Sequence, residues 1–110
     1  MKLFWSDADG NKYLLGKLYR EEDYYYFEIN EDGLKMALRQ GCFGIGKINI
    51  LEKTNKSKEL FDFFKNRIPK EDNPDIESFL ESIGLEEYNE FEILKRTGAR
   101  LLTDRYFLKE

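Results

Sequence analysis

The side chains that most often do chemistry in enzymes are scarce in this chain of 110 residues. It has no histidine, which excludes Ser-His-Asp and Cys-His triads, His-ligated zinc and an imidazole general base. Its single cysteine, Cys42, excludes internal disulfides and Cys-x-x-Cys metal sites. We therefore expect no metal site, no cofactor and no catalytic residues.

Carboxylates are the remaining groups that could provide acid–base chemistry. The densest groups, Glu86-Glu87 and Glu21-Glu22-Asp23, lie beside predicted turns with few apolar neighbours. A raised carboxyl pKa requires burial, so we expect these groups to be solvated and to bind no small-molecule substrate. The glycine-rich segment 41–46 is only superficially like a phosphate-binding loop, because Lys47 is followed by a strand-like Ile-Asn-Ile run.

Two groups of side chains are candidates for contacts with nucleic acid. Trp5, Tyr24 and Tyr26 could stack bases on a sheet, but acidic neighbours would repel phosphate, so cross-strand packing of the rings is favoured. The better candidate for phosphate contacts is a basic cluster formed by Lys95, Arg96, Arg100 and Arg105. A formal net charge of −4 argues against a protein whose whole surface binds nucleic acid.

The composition predicts a folded, cytoplasmic protein. Hydrophobic residues make up 41% of the chain and aromatic residues 15%, which is enough for one core despite 36% charged residues. The sequence contains no apolar run long enough to span a membrane, no leader pattern after Met1 and no possible disulfide.

Residues 1–30 predict an antiparallel meander of three strands. The third strand has the clearest alternation, with Tyr25, Phe27 and Ile29 on one face. In the middle strand, Leu14 and Leu18 are expected on the buried face.

The rest of the chain predicts short helices and a closing strand. Residues 31–40 could form a short helix that ends at Gly41. The other predicted helical segments run from an N-cap at Ser57 to about Asn66, from Asn73-Pro74 to Gly84, and over 90–97 to Gly98. Residues 103–108 return to strand. We therefore expect one α+β domain over residues 1–110, with an N-terminal antiparallel β-meander, two or three short helices and a closing C-terminal strand.

Phe63 lies off the stripe that Phe61 and Phe64 form on a predicted helix. A helix of this length does not usually bury three phenylalanines from one face. Phe63 therefore either fills a second layer of the core or is presented to a partner as an aromatic anchor. The candidate partner contacts on this segment are Phe63, Asn66, Arg67 and Pro69.

Three motifs, in matching order and spacing, resemble the N-terminal subdomain of HipA-type Ser/Thr kinases. Residues 16–18 and 25–30 resemble its G-x-L and F-x-Y strands, 63–69 its F-F-x-N-L-L-P helix end, and 91–98 its F-D-L-L-x-x-I-G segment. The resemblance covers residues 13–108. The chain departs from the family over residues 44–50, where members usually carry an L-S-L-S-L-P strand, and at Gly98-Ala-Arg, where many have Gly-Arg-Asp.

The resemblance implies a function without catalysis, because the kinase core that follows this subdomain in HipA is missing from the sequence. In three-component relatives a free-standing copy, HipS, neutralises a truncated kinase, HipT, beside a DNA-binding component, HipB. The resemblance therefore implies a HipS-like antitoxin or regulator that binds a HipA/HipT-like kinase. The alternative is a small DNA-binding module that uses the basic cluster, and an enzyme is the least favoured class.

Overall fold

The computed structural model describes all residues from Met1 to Glu110, and it consists of one antiparallel sheet and four helices. The strands are β1 (Lys2–Ser6), β2 (Lys12–Glu21), β3 (Tyr24–Ile29), β4 (Thr54–Ser57) and β5 (Tyr106–Lys109). The helices are α1 (Glu31–Arg39), α2 (Asp62–Lys65), α3 (Ile76–Ser82) and α4 (Glu90–Thr97). The strand order is β4-β3-β2-β1-β5, so β5 returns to pair with β1. The predicted α+β class, the meander and the closing strand are confirmed. No helix combines the length and the apolar character that are needed to cross a bilayer.

One face of the sheet carries the hydrophobic core. The predicted alternation in β3 is confirmed, because Tyr25, Phe27 and Ile29 are all buried on this face. The Phe27 ring lies 5.8 Å from the ring of Phe64, which α2 contributes. The largest fully buried side chains are Phe27, Phe64, Leu3, Leu15, Leu18, Ile45, Ile93 and Leu94.

A β-bulge changes which residues of β2 enter this core. Leu3 pairs with Gly16 and Phe4 pairs with Leu14, so Leu15 is the extra residue on β2. Leu15 is fully buried, whereas Leu14, opposite Phe4, faces the other side of the sheet. The prediction that Leu14 lies on the buried face is therefore wrong, because strict alternation cannot reveal an inserted residue.

The helix predicted from Ser57 is shorter than expected. Ser57 ends β4, where it pairs with Tyr25, and its hydroxyl accepts a hydrogen bond from the backbone N–H of Glu59. Helix α2 begins only at Asp62. The segment Thr54–Ser57 is polar throughout and shows no apolar alternation, because it is an edge strand held by backbone pairing to β3.

The helix predicted from Asn73-Pro74 to Gly84 is shorter in the structure, from Ile76 to Ser82, whereas the predicted end of α4 at Gly98 is confirmed. Asn73 accepts a hydrogen bond from the backbone N–H of Asp75 ahead of α3, and Asn89 caps α4 by accepting from Glu92. Gly98 ends α4 in the left-handed conformation, with φ of 69°. Strand β5 begins at Tyr106, three residues later than residue 103, because the intervening residues form a loop with a separate role.

Candidate functional site

Arg67, immediately after α2, is an arginine whose donors are used inside the molecule. Arg67 is buried, with 7% of its surface exposed, and its Nε donates a hydrogen bond to the carbonyl of Ala99 at 2.6 Å. Nη1 and Nη2 donate to the two carboxylate oxygens of Asp104 at 2.8 and 2.6 Å, and Nη2 also reaches the carbonyl of Tyr106 at 3.3 Å. Such a bidentate pair fixes orientation as well as position. Arg67 therefore holds the loop 98–105 against α2.

The guanidinium of Arg67 lowers the pKa of its partner, Asp104. Hydrogen bonds from Arg67 lower the pKa of Asp104, and this effect exceeds the opposing effect of burial. Asp104 also accepts a hydrogen bond from the backbone N–H of Tyr106 at 3.3 Å. Asp104 is thus an ionised partner at neutral pH and an organising centre for its loop.

A second connection ties the loop 41–47 to β5. The hydroxyl of Tyr106 donates to the carbonyl of Gly44 at 2.6 Å and lies 3.5 Å from the Sγ of Cys42. Burial, reinforced by the neighbouring thiol, raises the pKa of Tyr106. Cys42 is itself buried, as is common for a free cysteine, which packs as a small apolar residue. The loops 41–47 and 98–105 are therefore fixed to one framework by Tyr106 and Arg67.

These two loops present large apolar side chains to solvent. Phe43 and Leu102 have relative exposures of 101% and 107%, and Leu101 is 38% exposed. Isolated apolar residues are common on protein surfaces. Here, however, they lie on two loops that are joined by the half-buried Tyr106 and the buried Arg67. We call Phe43, Leu101 and Leu102 the apolar loop surface.

The predicted partner contacts lie beside this surface, although not in the expected manner. Phe63 is half-buried, with its ring 5.1 Å from those of both Phe64 and Tyr106, so the second-layer interpretation describes its packing. A surface depression of about 330 Å³ lies beside this ring, and its lining includes Phe63, Asn66, Arg67 and Leu101. Asn66 is exposed.

Arg67 and Pro69 have other roles in the structure. Arg67 is too enclosed to serve as a direct contact, so its contribution to docking is to position the loop 98–105. Pro69 is half-buried, and its carbonyl accepts a hydrogen bond from the hydroxyl of Tyr88 at 2.7 Å.

The predicted basic cluster does not gather on one face. Lys95 lies near Glu92 and Glu110, at 3.7 and 3.8 Å, and Arg96 donates to the carbonyl of Ile83 at 2.9 Å. The remaining members are Arg100, 4.3 Å from the ring centroid of Phe107, and the exposed Arg105. Since Phe107 stacks on Phe4, which faces away from the core, Arg100 lies on the side of the sheet opposite α4.

The apolar loop surface carried only a faint signal in the sequence. Leu101-Leu102 is an apolar pair between two polar residues in a segment that was predicted to lead into a strand, and Phe43 lies among glycines. Neither segment has a periodicity, so exposure could be recognised only once the loops were placed.

Comparison of this chain with protein-family models, with curated proteins and with solved structures finds no match.

Proposed function

We propose that this chain is a non-catalytic protein-binding module, a HipS-like antitoxin or regulator that binds and inhibits a HipA/HipT-like Ser/Thr kinase. The partner class comes from the resemblance of residues 13–108 to the N-terminal subdomain of such kinases. A HipB-like DNA-binding protein is the further component that this resemblance suggests. The observation that supports docking is the apolar loop surface, whose exposed side chains lie on loops fixed from beneath.

Fixed loops favour binding because less conformational freedom is lost when the complex forms. The four hydrogen bonds of Arg67 and that of Tyr106 hold the backbone next to the exposed side chains. Burial of one Phe or Leu side chain contributes about 1.5–3 kcal/mol. The side chains of Phe43 and Leu102 are therefore suited to be the central contacts of an interface.

The residues predicted on the 63–69 segment take different parts in this proposal. Asn66 forms part of the polar rim, since it is exposed and lines the depression beside Leu101. Phe63 contributes apolar surface to the same depression, and Arg67 acts through the loop 98–105. Pro69 does not line this depression and stays a predicted contact at the end of the segment. Inhibition would follow if the bound domain covers the nucleotide cleft or holds the kinase lobes in one arrangement.

The test uses a HipA/HipT-like kinase, sought first among the products of the neighbouring genes and purified as an intact protein. Isothermal titration calorimetry measures its affinity for the wild-type chain, and autophosphorylation measures inhibition. The double variant Phe43→Ala/Leu102→Ala should weaken binding about 30-fold or more, because truncation of central interface residues costs at least 1 kcal/mol each. Leu51→Ala is the matched control, since Leu51 is 93% exposed but lies outside the two loops.

The outcomes separate the partner from the surface. Failure of the wild-type chain to bind or inhibit the kinase at about 10 µM would overturn the proposed function. Tight binding that the double variant leaves unchanged would retain the function and reject the apolar loop surface as its site.

A further inference from the structure

The second face of the sheet carries tyrosines and lysines on neighbouring strands. Tyr26 on β3 pairs with Tyr19 on β2 and with Lys56 on β4, so the three side chains stand in one row across the sheet. Tyr24 lies two residues before Tyr26 and therefore shares its face. None of these four residues belongs to the hydrophobic core or packs against it. No strand is predicted around Lys56, because residues 54–57 show no apolar alternation and Ser57 is predicted as a helix N-cap.

Two of the rings in this row stack on each other, and a lysine lies over the third. The rings of Tyr19 and Tyr26 are nearly parallel, with centroids 5.1 Å apart and planes 11° apart. The Nζ of Lys56 lies 4.1 Å from the ring centroid of Tyr24 and 5.8 Å from that of Tyr26. All three tyrosines are partly exposed. Trp5, which was considered beside Tyr24 and Tyr26 as a stacking ring, is buried on the opposite face and is not part of this row.

Basic side chains continue across the same face. Lys17 pairs with Lys2, and Lys2 pairs with Lys109, which places three ammonium groups in the next row. None of these lysines, nor Lys56, forms an ion pair within the chain. Glu28, opposite Lys17, is the acidic residue of that row. Glu21, opposite Tyr24, is a second acidic residue of this face. Four lysines thus stand against two glutamates, and the face is locally basic although the chain as a whole carries a net charge of −4.

We propose that this tyrosine–lysine face binds single-stranded nucleic acid. Bases would stack on the rings of Tyr19, Tyr24 and Tyr26, and phosphates would lie near the lysines of both rows. Proteins that bind single strands without sequence preference combine these two features, aromatic platforms and a positive track. A sheet face that offers flat rings suits unstacked bases, whereas duplex DNA is read by elements that enter a groove. An acidic peptide would satisfy the lysines but would leave the tyrosine faces without a stacking partner.

The test measures fluorescence anisotropy of a labelled oligo-dT of about twelve nucleotides, a length within the usual site size of such domains. The wild-type chain should bind at low salt, and binding should weaken as salt rises because phosphate contacts release counterions. Tyr26→Ala should weaken binding about five-fold or more through loss of stacking. Lys56→Gln should weaken it less and should reduce the slope of affinity against salt concentration.

Two control variants remove a lysine and an aromatic ring from other parts of the surface. Lys35→Gln removes an exposed lysine of α1, and Phe43→Ala removes an exposed ring of the apolar loop surface. Both should leave oligonucleotide affinity unchanged, while Phe43→Ala should still weaken kinase binding. The two proposals can thus fail independently of each other.

Three results would overturn the inference. The first is no anisotropy change at about 100 µM protein and low salt, since even non-specific binding is tighter than that. The second is an equal loss of affinity in Lys56→Gln and Lys35→Gln, which would indicate that the oligonucleotide responds only to the overall positive charge of the surface. The third is that duplex DNA or poly-glutamate binds as tightly as oligo-dT and that Tyr26→Ala weakens this binding to the same extent. That result would assign the face to another class of partner.

Discussion

Arg67 and Asp104 are 37 residues apart in the chain, and the guanidinium of Arg67 donates to both carboxylate oxygens of Asp104 at 2.8 and 2.6 Å. The arginine side chain is 4% exposed and that of Asp104 is 30% exposed. This pair joins the end of α2 to the loop 98–105, which carries two of the three residues of the apolar loop surface. The position of the proposed docking residues therefore depends on an interaction remote from them in sequence.

Replacement of Arg67 should destabilise the fold strongly. Arg67→Ala removes four hydrogen bonds and leaves the Ala99 carbonyl and the Asp104 carboxylate without their partner, so we expect a loss of about 3 kcal/mol in the free energy of unfolding. Urea denaturation measures it. The control is Lys65→Gln, whose surface pair with Glu59 at 3.6 Å should contribute less than about 1 kcal/mol. Equal effects of the two variants would contradict the structural role of Arg67.

Asp104 should make stability depend on pH in the acid range. Its pKa is lower in the folded state, chiefly through hydrogen bonds from Arg67, so the folded carboxyl binds its proton less tightly than the unfolded one. Its contribution is fully present above the unfolded pKa of about 4 and is lost as pH falls through the folded pKa. Asp104→Asn should flatten the fall in stability below about pH 4 relative to wild type, whereas Glu87→Gln, at an exposed position, should not. Urea denaturation at a series of pH values measures both profiles.

Gly33 should resist substitution because α1 lies against β2 at that point. A Cβ on Gly33 would collide with the backbone carbonyl of Leu14, which cannot move aside as a flexible side chain could. Gly33→Ala should therefore lower stability by about 1–3 kcal/mol, although alanine is the better helix former. Lys35→Ala, on the exposed side of the same helix, should change it by less than about 0.5 kcal/mol. A stabilised Gly33→Ala variant would show that α1 does not approach β2 this closely.

Local patterns in the sequence predict most of the elements but not their long-range partners. The alternation of Tyr25, Phe27 and Ile29 and the helix end at Gly98 are properties of a few neighbouring residues, and each matches the structure. The bulge at Leu15 and the polar edge strand β4 depend on pairing with another strand, so no local pattern reveals them.

The same reason limits what could be predicted of the candidate sites. The sequence shows that an arginine and an aspartate occupy positions 67 and 104, but their pairing depends on the tertiary fold that brings the loop 98–105 next to α2. Phe63 was expected to be either a second-layer residue or an anchor, and only its contacts with Phe64 and Tyr106 distinguish the two. Lys56 reaches the tyrosine–lysine face only because β4 pairs with β3.

The apolar loop surface should be dispensable for folding. Phe43 and Leu102 are fully exposed, so Phe43→Ala/Leu102→Ala should change the free energy of unfolding by less than about 0.5 kcal/mol while it weakens kinase binding. Thermal unfolding followed by circular dichroism checks this. A marked loss of stability in this variant would mean that these side chains pack within the chain, which would remove them as docking residues.

The hydroxyl of Tyr106 should control how firmly the loop 41–47 is held. Tyr106→Phe leaves the carbonyl of Gly44 without the donor that now lies at 2.6 Å, which should cost about 1–2 kcal/mol of stability. Because Cys42 lies next to that hydroxyl and is buried, looser packing should also increase its reaction rate with a thiol reagent such as DTNB. Tyr19→Phe, which removes a hydroxyl on the opposite face, is the matched control and should leave the thiol protected. Unchanged protection of Cys42 in Tyr106→Phe would show that packing alone, through the contact of the ring with Phe63, holds the loop in place.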